Sequence, residues 1–290
     1  MKAALRRASA PSPELREQLD GLRRRMDAAA VLSADPLGLV HRYSEPEDQE
    51  VVGLLVAGLA YGRASVIRER AGDLLERLGP TPSRSIGVPR VRRRLRGFVY
   101  RFQRGDDLER FTDGLHRYRR KHGSLARGFL AGLDGAASDL TSAMTRFVEG
   151  IRREISGPAS YGLGYLLPSP ERGGAAKRLA LYLRWMIRPA DGIDLGTWQA
   201  SDLTSRLIMP LDTHVARIGR ALGLTERVTP DLRTALEITR ALRELCPDDP
   251  LRYDMPLCHM GISGMCPSRR VEAICRECGI RSVCRLGFRA

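Results

Sequence analysis

Apolar residues recur along most of the chain at the spacing of amphipathic α-helices. Spacings of i, i+3, i+4 and i+7 place them on one face of a helix with 3.6 residues per turn. They predict helices over Leu15–Leu32, Val51–Leu59, Val66–Leu78, Leu108–Tyr118, Leu140–Ile155, Arg178–Ile187, Val215–Leu222 and Leu232–Leu245. No segment alternates convincingly with period two, and no internal repeat is visible. Gly and Pro clusters such as Gly79-Pro80-Thr81-Pro82 separate the helices, so the pattern favours an all-α fold.

The charge of the chain indicates the kind of partner that it binds. The 290 residues carry a formal net charge of +14, and all but three of the 48 basic residues (Lys2, Lys121 and Lys177) are arginine. GC-rich codons account for the preference for arginine over lysine, but not for the net charge. A positive excess of this size indicates a polyanionic partner, with nucleic acid as the first candidate and an anionic membrane surface as the second. The apolar content of 43% excludes a disordered chain.

The basic residues are concentrated between Pro80 and Gly105, where no acidic residue occurs. Aromatic residues interleave with them in the stretch from Phe98 to Phe102. A solvated surface is the alternative for any run of charges, but a run without a counter-charge favours phosphate contact. The arginines of this run are Arg84, Arg90, Arg92, Arg93, Arg94, Arg96, Arg101 and Arg104.

Membrane insertion and secretion are not expected. The longest apolar stretches, such as Val51–Tyr61, are too short to cross a bilayer. The first ten residues, MKAALRRASA, lack the apolar core of a signal peptide.

Cysteines are confined to the C-terminal part of the chain. Four of the six form the pattern Cys-x8-Cys-x2-Cys-x5-Cys, namely Cys266, Cys275, Cys278 and Cys284. Four thiolates in a short loop can hold Zn²⁺ or a [4Fe-4S] cluster, whereas disulfides are not expected in a chain without secretion signals. Structural Zn²⁺ sites usually pair two close doublets and only Cys275–Cys278 is one, which favours the [4Fe-4S] cluster. Cys246 and Cys258 fall in apolar helical patterns and are expected in the core.

Three segments together resemble the endonuclease III-type DNA glycosylases of the helix-hairpin-helix superfamily. The four-cysteine loop is similar to the family's Cys-x6-Cys-x2-Cys-x5-Cys loop, but is two residues longer in its first interval. The segment Pro210–Arg217 resembles the family's Val-Asp-Thr-His segment, whose Asp is catalytic. The segment Leu54–Arg63 is similar to the first barrel helix, which ends in a residue that wedges into DNA; on that match Arg63 occupies the wedge position. The closest likeness is to an uncharacterised bacterial branch of this superfamily.

The segment that corresponds to the hairpin of the family's helix-hairpin-helix motif departs from the family pattern. The family reads Leu-Pro-Gly-x-Gly shortly before the catalytic lysine, whereas here Leu167-Pro168 and Gly173-Gly174 are stretched apart ahead of Lys177. The hairpin is therefore expected to be remodelled. The interval from Lys177 to Asp212 is longer than in endonuclease III and nearer to that of archaeal 8-oxoguanine glycosylases. This interval suggests an oxidised purine as the substrate.

The resemblance implies a function and a catalytic pair. It implies that Lys177 attacks the deoxyribose C1′, with associated lyase activity at apurinic or apyrimidinic sites, and that Asp212 stabilises the charge that develops on the sugar. Lys177 could instead be a surface or phosphate-contacting residue, and Asp212 could serve only as an N-cap. His214 is expected to be a packed histidine. The remaining alternatives are a monofunctional glycosylase with Asp-activated water, a non-catalytic DNA-binding protein and a Zn-stabilised regulatory protein.

The resemblance also implies the DNA contacts and the architecture. A side chain would fill the vacancy left by the extruded nucleotide, and backbone N–H groups would hold phosphate. The expected DNA-binding residues are Arg63, Tyr61, Gly173, Gly174, Arg101, Arg178, Arg269 and Arg270. Candidates for the base pocket, for each of which core packing is favoured, are Tyr100, Phe102, Trp185, Trp198 and Asp194.

The expected architecture has two lobes, a helical barrel over 44–205 and a second helical domain made of 1–43 with 206–290, which carries the metal loop. The expected partner is double-stranded DNA with a damaged base. The protein is expected to be monomeric and cytoplasmic, associated with the nucleoid.

Overall fold

The computed structural model describes residues 12–286, and most of them are helical, so the predicted all-α class is confirmed. The helices are α1 (Pro13–Arg24), α2 (Ala28–Ala34), α3 (Pro46–Gly58), α4 (Ala64–Leu78), α5 (Pro82–Ser85), α6 (Pro89–Leu95), α7 (Gly105–His122), α8 (Leu125–Leu130), α9 (Thr141–Arg153), α10 (Tyr161–Leu166), α11 (Lys177–Ile187), α12 (Thr213–Ala221), α13 (Leu232–Leu245), α14 (Asp254–Ile262) and α15 (Glu272–Arg276). Two strands, β1 (Val99–Tyr100) and β2 (Gln103–Arg104), lie between α6 and α7.

One predicted helix is wrong in extent. Leu15–Leu32 was expected to be continuous, but the structure ends α1 at Arg24 and begins α2 at Ala28. The carboxylate of Asp27 accepts the N–H groups of Ala29 and Ala30 at 2.9 and 3.1 Å, which caps α2 and interrupts the longer helix. The other predicted helices are confirmed within a few residues at each end.

The β1–β2 hairpin was not predicted. Val99 pairs with Arg104 and Tyr100 with Gln103 in antiparallel register. Strands of two residues are too short to show an alternating pattern in the sequence. The turn places Arg101 at φ +49°, in the left-handed region that non-glycine residues rarely adopt.

The chain divides into two compact units. Among the described residues, the C-terminal unit comprises 12–26, 173–177 and 207–286. The central unit comprises Asp27–Arg172 and Arg178–Arg206.

Two segments lie in a different unit from the one expected. Residues 27–43 belong to the central unit, because the 3₁₀ segment Pro36–Arg42 packs on α3 with Leu37 and Val40 fully buried. Residues 173–177 belong to the C-terminal unit, because Gly173 O accepts the N–H of Leu232 at 3.3 Å and Gly174 forms an antiparallel bridge with Asp231.

The core of the central unit is built around α3 and α11. Every residue from Val51 to Gly58 is buried, and so are eight of the eleven residues of α11, as expected for helices largely surrounded by other elements. The buried carboxylate of Glu50 accepts the N–H groups of Leu125 and Ala126, both at 3.0 Å, and burial raises its pKa despite these bonds.

The C-terminal unit is built from amphipathic helices with aspartate caps. Asp212 caps α12 and Asp231 caps α13, and the apolar faces of both helices are buried. α12 also packs on α14, where His214 lies against Gly261. The predicted packed position of His214 agrees with this contact.

Within residues 12–286, no helix combines the length and apolar character that a membrane crossing requires. The N-terminal decapeptide, in which no signal peptide was expected, lies outside the described residues.

Candidate active site

Lys177 and Asp212, the predicted catalytic pair, lie side by side within the C-terminal unit. Lys177 Nζ is 3.3 Å from Asp212 Oδ2. Both side chains are largely covered, with 33% of the lysine and 15% of the aspartate exposed. The pair is therefore close enough to exchange a proton and open enough for a substrate to approach.

The carboxylate of Asp212 is fixed in place by the backbone. Asp212 Oδ1 accepts the N–H of Val215 at 2.8 Å as the N-cap of α12, so the predicted cap is present. The other oxygen, Oδ2, is left to face Lys177, and the Sγ of Cys258 approaches it at 4.0 Å. The cap and the predicted catalytic position are thus compatible, because each uses a different oxygen of the same carboxylate.

The backbone before Lys177 is held by contacts to the start of α13. The anchors of Gly173 and Gly174 on Leu232 and Asp231 fix the path of the chain into α11. Gly173 has φ +76°, and a Cβ at this position would meet no atom within 4 Å, so its backbone conformation rather than crowding favours glycine. Both glycines are exposed, as the predicted phosphate contact requires.

The four cysteines of the C-terminal loop line one pocket, which we call the cysteine pocket. The pocket is partly open to solvent, and α12 contributes Ile218 and Ala221 to its wall. Burial raises the pKa of Cys278, and the three other cysteines of the loop raise it further. Within residues 12–286, no group of three or more His, Cys, Asp or Glu side chains is arranged to hold a metal ion. The metal loop therefore stays a prediction.

Arg217 joins the cysteine pocket to the helix that Asp212 caps. Its guanidinium donates to the Sγ of Cys266 at 3.1 Å, to the carbonyl of Cys266 at 2.6 Å and to the carbonyl of Pro267 at 2.6 Å. At the end of α12, Ala221 O accepts the N–H of Arg285 at 2.8 Å. The helix is thus attached to the loop at two points. Sequence reasoning missed Arg217, although its position in the Asp-Thr-His segment was a signal.

The predicted DNA-binding residues of the C-terminal unit flank this pocket. Arg269 and Arg270 both line it and are exposed. Arg270 forms an ion pair with Glu272 at 2.7 Å, and hydrogen bonding and charge from Arg270 lower the pKa of that carboxyl. The positive charge of Arg269 is therefore less neutralised by a neighbouring carboxylate than that of Arg270.

The predicted DNA-binding residues of the central unit differ in exposure. Arg63 and Arg101 are exposed. Tyr61 is half-buried and its hydroxyl donates to Gln103 in β2. The β1–β2 hairpin therefore restricts the movement of this side chain, which was predicted to enter the DNA. Arg178 lies with its guanidinium 4.1 Å above the ring of Tyr165 and donates to Gly58 O at 3.1 Å.

Four of the five base-pocket candidates are core residues, as core packing predicted. Tyr100, Trp185 and Trp198 are buried, and Asp194 lies in a buried ion pair with Arg184 at 3.0 Å. Phe102 is the exception, because 44% of it is exposed. Its exposed neighbour Tyr161 was missed, since it falls in a short helix outside the predicted ones.

Comparison with known proteins identifies a family. A family model with the description "Protein of unknown function (DUF2400)" matches residues 35–263, which includes Lys177, Asp212 and Cys258 and ends before the four-cysteine loop. No curated protein matches the chain significantly, and neither does any solved structure.

Proposed function

We propose that this chain, which belongs to the family described as "Protein of unknown function (DUF2400)", is a DNA glycosylase that excises a damaged base and cleaves the resulting apurinic or apyrimidinic site as a lyase. The observation that carries the proposal is the 3.3 Å approach of Lys177 Nζ to Asp212 Oδ2 in a partly open position. An amine beside a fixed carboxylate is the pair of groups that this chemistry requires. An oxidised purine is the proposed substrate class.

Lys177 is the proposed nucleophile. Its unprotonated Nζ forms a bond to the deoxyribose C1′ while the glycosidic bond breaks and its electron pair leaves with the base, which takes up a proton. The C1′–O4′ bond then breaks, O4′ takes up the proton that Nζ releases, and C1′ and Nζ form an imine. Loss of a proton from C2′ expels the 3′ phosphate by β-elimination, and water hydrolyses the imine to free Nζ. Arginine cannot replace the lysine, because its guanidinium stays protonated and forms no such imine.

Asp212 is the proposed stabiliser of the reacting sugar. Its Oδ2 faces the amine and can pass the proton that Nζ releases before it attacks on to solvent, which leaves the carboxylate charged. The negative charge also stabilises the positive charge that develops at C1′ as the base departs. The N-cap bond to Val215 holds this carboxylate in one orientation, so little rearrangement is needed during the reaction.

The positive surface supports DNA as the substrate. The net charge of +14 attracts the phosphate backbone, and the exposed arginines Arg63, Arg101 and Arg269 can contact it directly. Such contacts position the duplex without reading its sequence. The glycines Gly173 and Gly174 present exposed backbone just before the nucleophile, where a phosphate could be held.

The cysteine pocket is proposed to hold a [4Fe-4S] cluster through Cys266, Cys275, Cys278 and Cys284. The four thiols line a common pocket, and a [4Fe-4S] cluster takes four cysteine thiolates as its ligands. The N–H of Arg217 that points to Cys266 Sγ is the kind of hydrogen bond that stabilises a ligating thiolate. The bound cluster would supply structural support for a loop that carries exposed arginines.

A monofunctional glycosylase is the second candidate. The Lys177–Asp212 contact is also an ion pair, and a lysine that remains an ammonium would bind DNA while Asp212 activates a water. This mechanism releases the base but leaves the strand intact.

A panel of duplexes, each with one defined lesion, tests the proposal and separates the candidates. The purified full-length protein should release one class of damaged base and nick the strand at the same position. Base release without nicking would favour the monofunctional mechanism. Binding of all duplexes without base release, under conditions where a known glycosylase works, would contradict both and indicate a non-catalytic DNA-binding protein.

A further inference from the structure

An exposed group of aromatic rings in the central unit has no part in the proposed chemistry. Its outer members are Phe102, in the β1–β2 turn, and Tyr161, at the start of α10, which are 44% and 69% exposed. Tyr61 and Tyr165 complete the group, which we call the aromatic platform. Large rings grouped at a surface, rather than scattered singly, mark a site of interaction.

The rings of the platform contact one another continuously. The centroid of Phe102 lies 5.0 Å from that of Tyr161 and 4.9 Å from that of Tyr165, both edge to face. Tyr161 and Tyr165 stack at 5.9 Å with an interplanar angle of 26°. Tyr61 lies nearly parallel to Phe102 at 6.2 Å. The two exposed rings are therefore in contact with two half-buried rings.

Hydrogen bonds lock the hairpin to α10. Gln103 Nε2 donates to Gly162 O at 3.1 Å, and Ser160 donates to the carboxylate of Asp107, whose other oxygen accepts the N–H of Arg104 at 2.9 Å. A Cβ on Gly162 would lie 2.6 Å from Phe102 O, so only glycine permits this approach. The platform is thus pre-organised, which lowers the entropic cost of binding a ligand to it.

Two arginine side chains lie close to a ring of the aromatic platform. The guanidinium of Arg178 lies 5.3 Å from the ring centroid of Tyr61, and that of Arg101 lies 5.7 Å from the same centroid. Arg104, the last residue of β2, and Arg96, three residues before β1, are exposed. Cations over the rings increase their affinity for an electron-rich partner, and exposed cations beside them attract phosphate.

We infer that the aromatic platform binds unpaired bases of single-stranded DNA, which stack on Phe102 and Tyr161 while the neighbouring arginines contact the strand's phosphates. Every base has a π-face, so such a surface accepts any sequence. The arginines attract any polyanion, and the exposed rings favour a strand with bases over an acidic protein segment, which offers carboxylates but no flat rings. The inference does not depend on which lesion is excised, or on whether one is.

Binding of undamaged single strands to the full-length protein tests the inference. The two ligands are a thymidine oligonucleotide and a strand of the same length in which every base is replaced by an abasic analogue. We expect the strand with bases to bind at least about fivefold more tightly, because stacking of each base contributes measurably to such complexes. The two strands carry the same phosphates, so the ratio of their dissociation constants isolates stacking from charge.

Substitutions of the exposed rings test whether the bases stack on the aromatic platform. Phe102→Leu and Tyr161→Leu keep apolar bulk but remove the ring, and each should reduce the ratio toward one, while Phe102→Trp should preserve it. Val228→Ala removes a side chain that is 77% exposed in the C-terminal unit and should leave the ratio unchanged. The fluorescence of a 2-aminopurine base in the strand should be quenched by the wild-type protein and less so by both leucine variants.

Equal affinity of the wild-type protein for the two strands would overturn the inference. A ratio that survives in both leucine variants would do so as well, because the bases would then stack elsewhere. The assay contains no damaged base and no chemical step, so a failed glycosylase assay leaves its outcome interpretable.

Discussion

The amine of Lys177 and the carboxylate of Asp212 approach to 3.3 Å while the second oxygen of that carboxylate accepts the N–H of Val215 at 2.8 Å. The helix cap thus orients the aspartate, and the aspartate faces the lysine. Both residues belong to the C-terminal unit, so the pair is held within one compact body. This arrangement separates two roles of Asp212, one in stability and one in chemistry, that substitutions can distinguish.

Asp212→Asn should lower activity strongly with little change in stability. Asparagine caps a helix about as well as aspartate, so the free energy of unfolding should change by less than about 1 kcal/mol. The loss of the negative charge beside Lys177 should reduce the rate of base release by about 10²- to 10³-fold. Single-turnover kinetics and urea unfolding measure the two effects.

Asp231→Asn is the matched control for that substitution. Asp231 caps α13 in the same way, with its Oδ1 2.9 Å from the N–H of Thr234, and its carboxylate pairs with Arg227 at 2.6 Å. The control should therefore lose up to about 1 kcal/mol of stability and keep its rate of base release. Equal losses of rate in the two variants would show that Asp212 acts only as a cap.

Arg217→Gln should loosen the cysteine pocket. The substitution removes three hydrogen bonds to the Cys266–Pro267 segment, which should destabilise the protein by roughly 1–3 kcal/mol and reduce the iron retained on purification. Arg220→Gln, on the same helix, removes only two 3.4 Å contacts to carbonyl groups and should have a smaller effect. Thermal unfolding and metal analysis of both variants provide the comparison. Identical iron content and melting temperature in the two variants would contradict the role given to Arg217.

Cysteine substitutions should divide into two classes. Cys278→Ser removes a proposed cluster ligand and should lower iron and acid-labile sulfide in protein purified without oxygen. Cys246→Ala changes a buried cysteine that does not line the cysteine pocket and should leave both contents unchanged. A colourless protein that carries stoichiometric Zn²⁺ and no sulfide would contradict the cluster assignment.

Asp191 should make the stability of the central unit depend on pH. Burial acts to raise its pKa, but the charge of Arg188 and hydrogen bonds from Asp194 N and Ile193 N outweigh burial and lower it. A carboxyl with a lower pKa in the folded state contributes stability above its unfolded pKa and loses it as the pH falls through the folded value. Asp191→Asn should therefore be less stable than the wild-type protein at pH 7, with a difference that shrinks below about pH 4. Urea unfolding across this range measures the difference, and a constant gap down to about pH 2 would contradict the assignment.

The helical body was predictable from the sequence because its signals are local. Long amphipathic patterns identify helices such as α9 and α13 within a few residues. The break between α1 and α2 was missed because apolar spacing continued through it, while the stop comes from the cap that Asp27 provides. The β1–β2 hairpin was missed because it depends on contacts with α10 rather than on its own four residues.

The candidate site was predictable only in part. The resemblance to glycosylases suggested Lys177 and Asp212, and the structure brings those two side chains together. Arg217 lies within the Asp-Thr-His segment, but neither it nor Tyr161, at the start of the short helix α10, has a local pattern that reveals its contacts. Their significance lies in what they touch across the fold, which spacing along the chain does not encode.

Trapping of the covalent intermediate tests the central claim most directly. Borohydride reduces an imine between an amine and the opened sugar to a stable bond, so a bifunctional glycosylase becomes linked to its damaged duplex. We expect the wild-type protein to be trapped, Lys177→Ala to give no adduct, and Lys121→Ala to be trapped like the wild type. Lys121 is the matched control, because it also lies 3.3 Å from a carboxylate, that of Glu154, but on an exposed surface of the central unit. An adduct that persists in Lys177→Ala would contradict the assignment of the nucleophile.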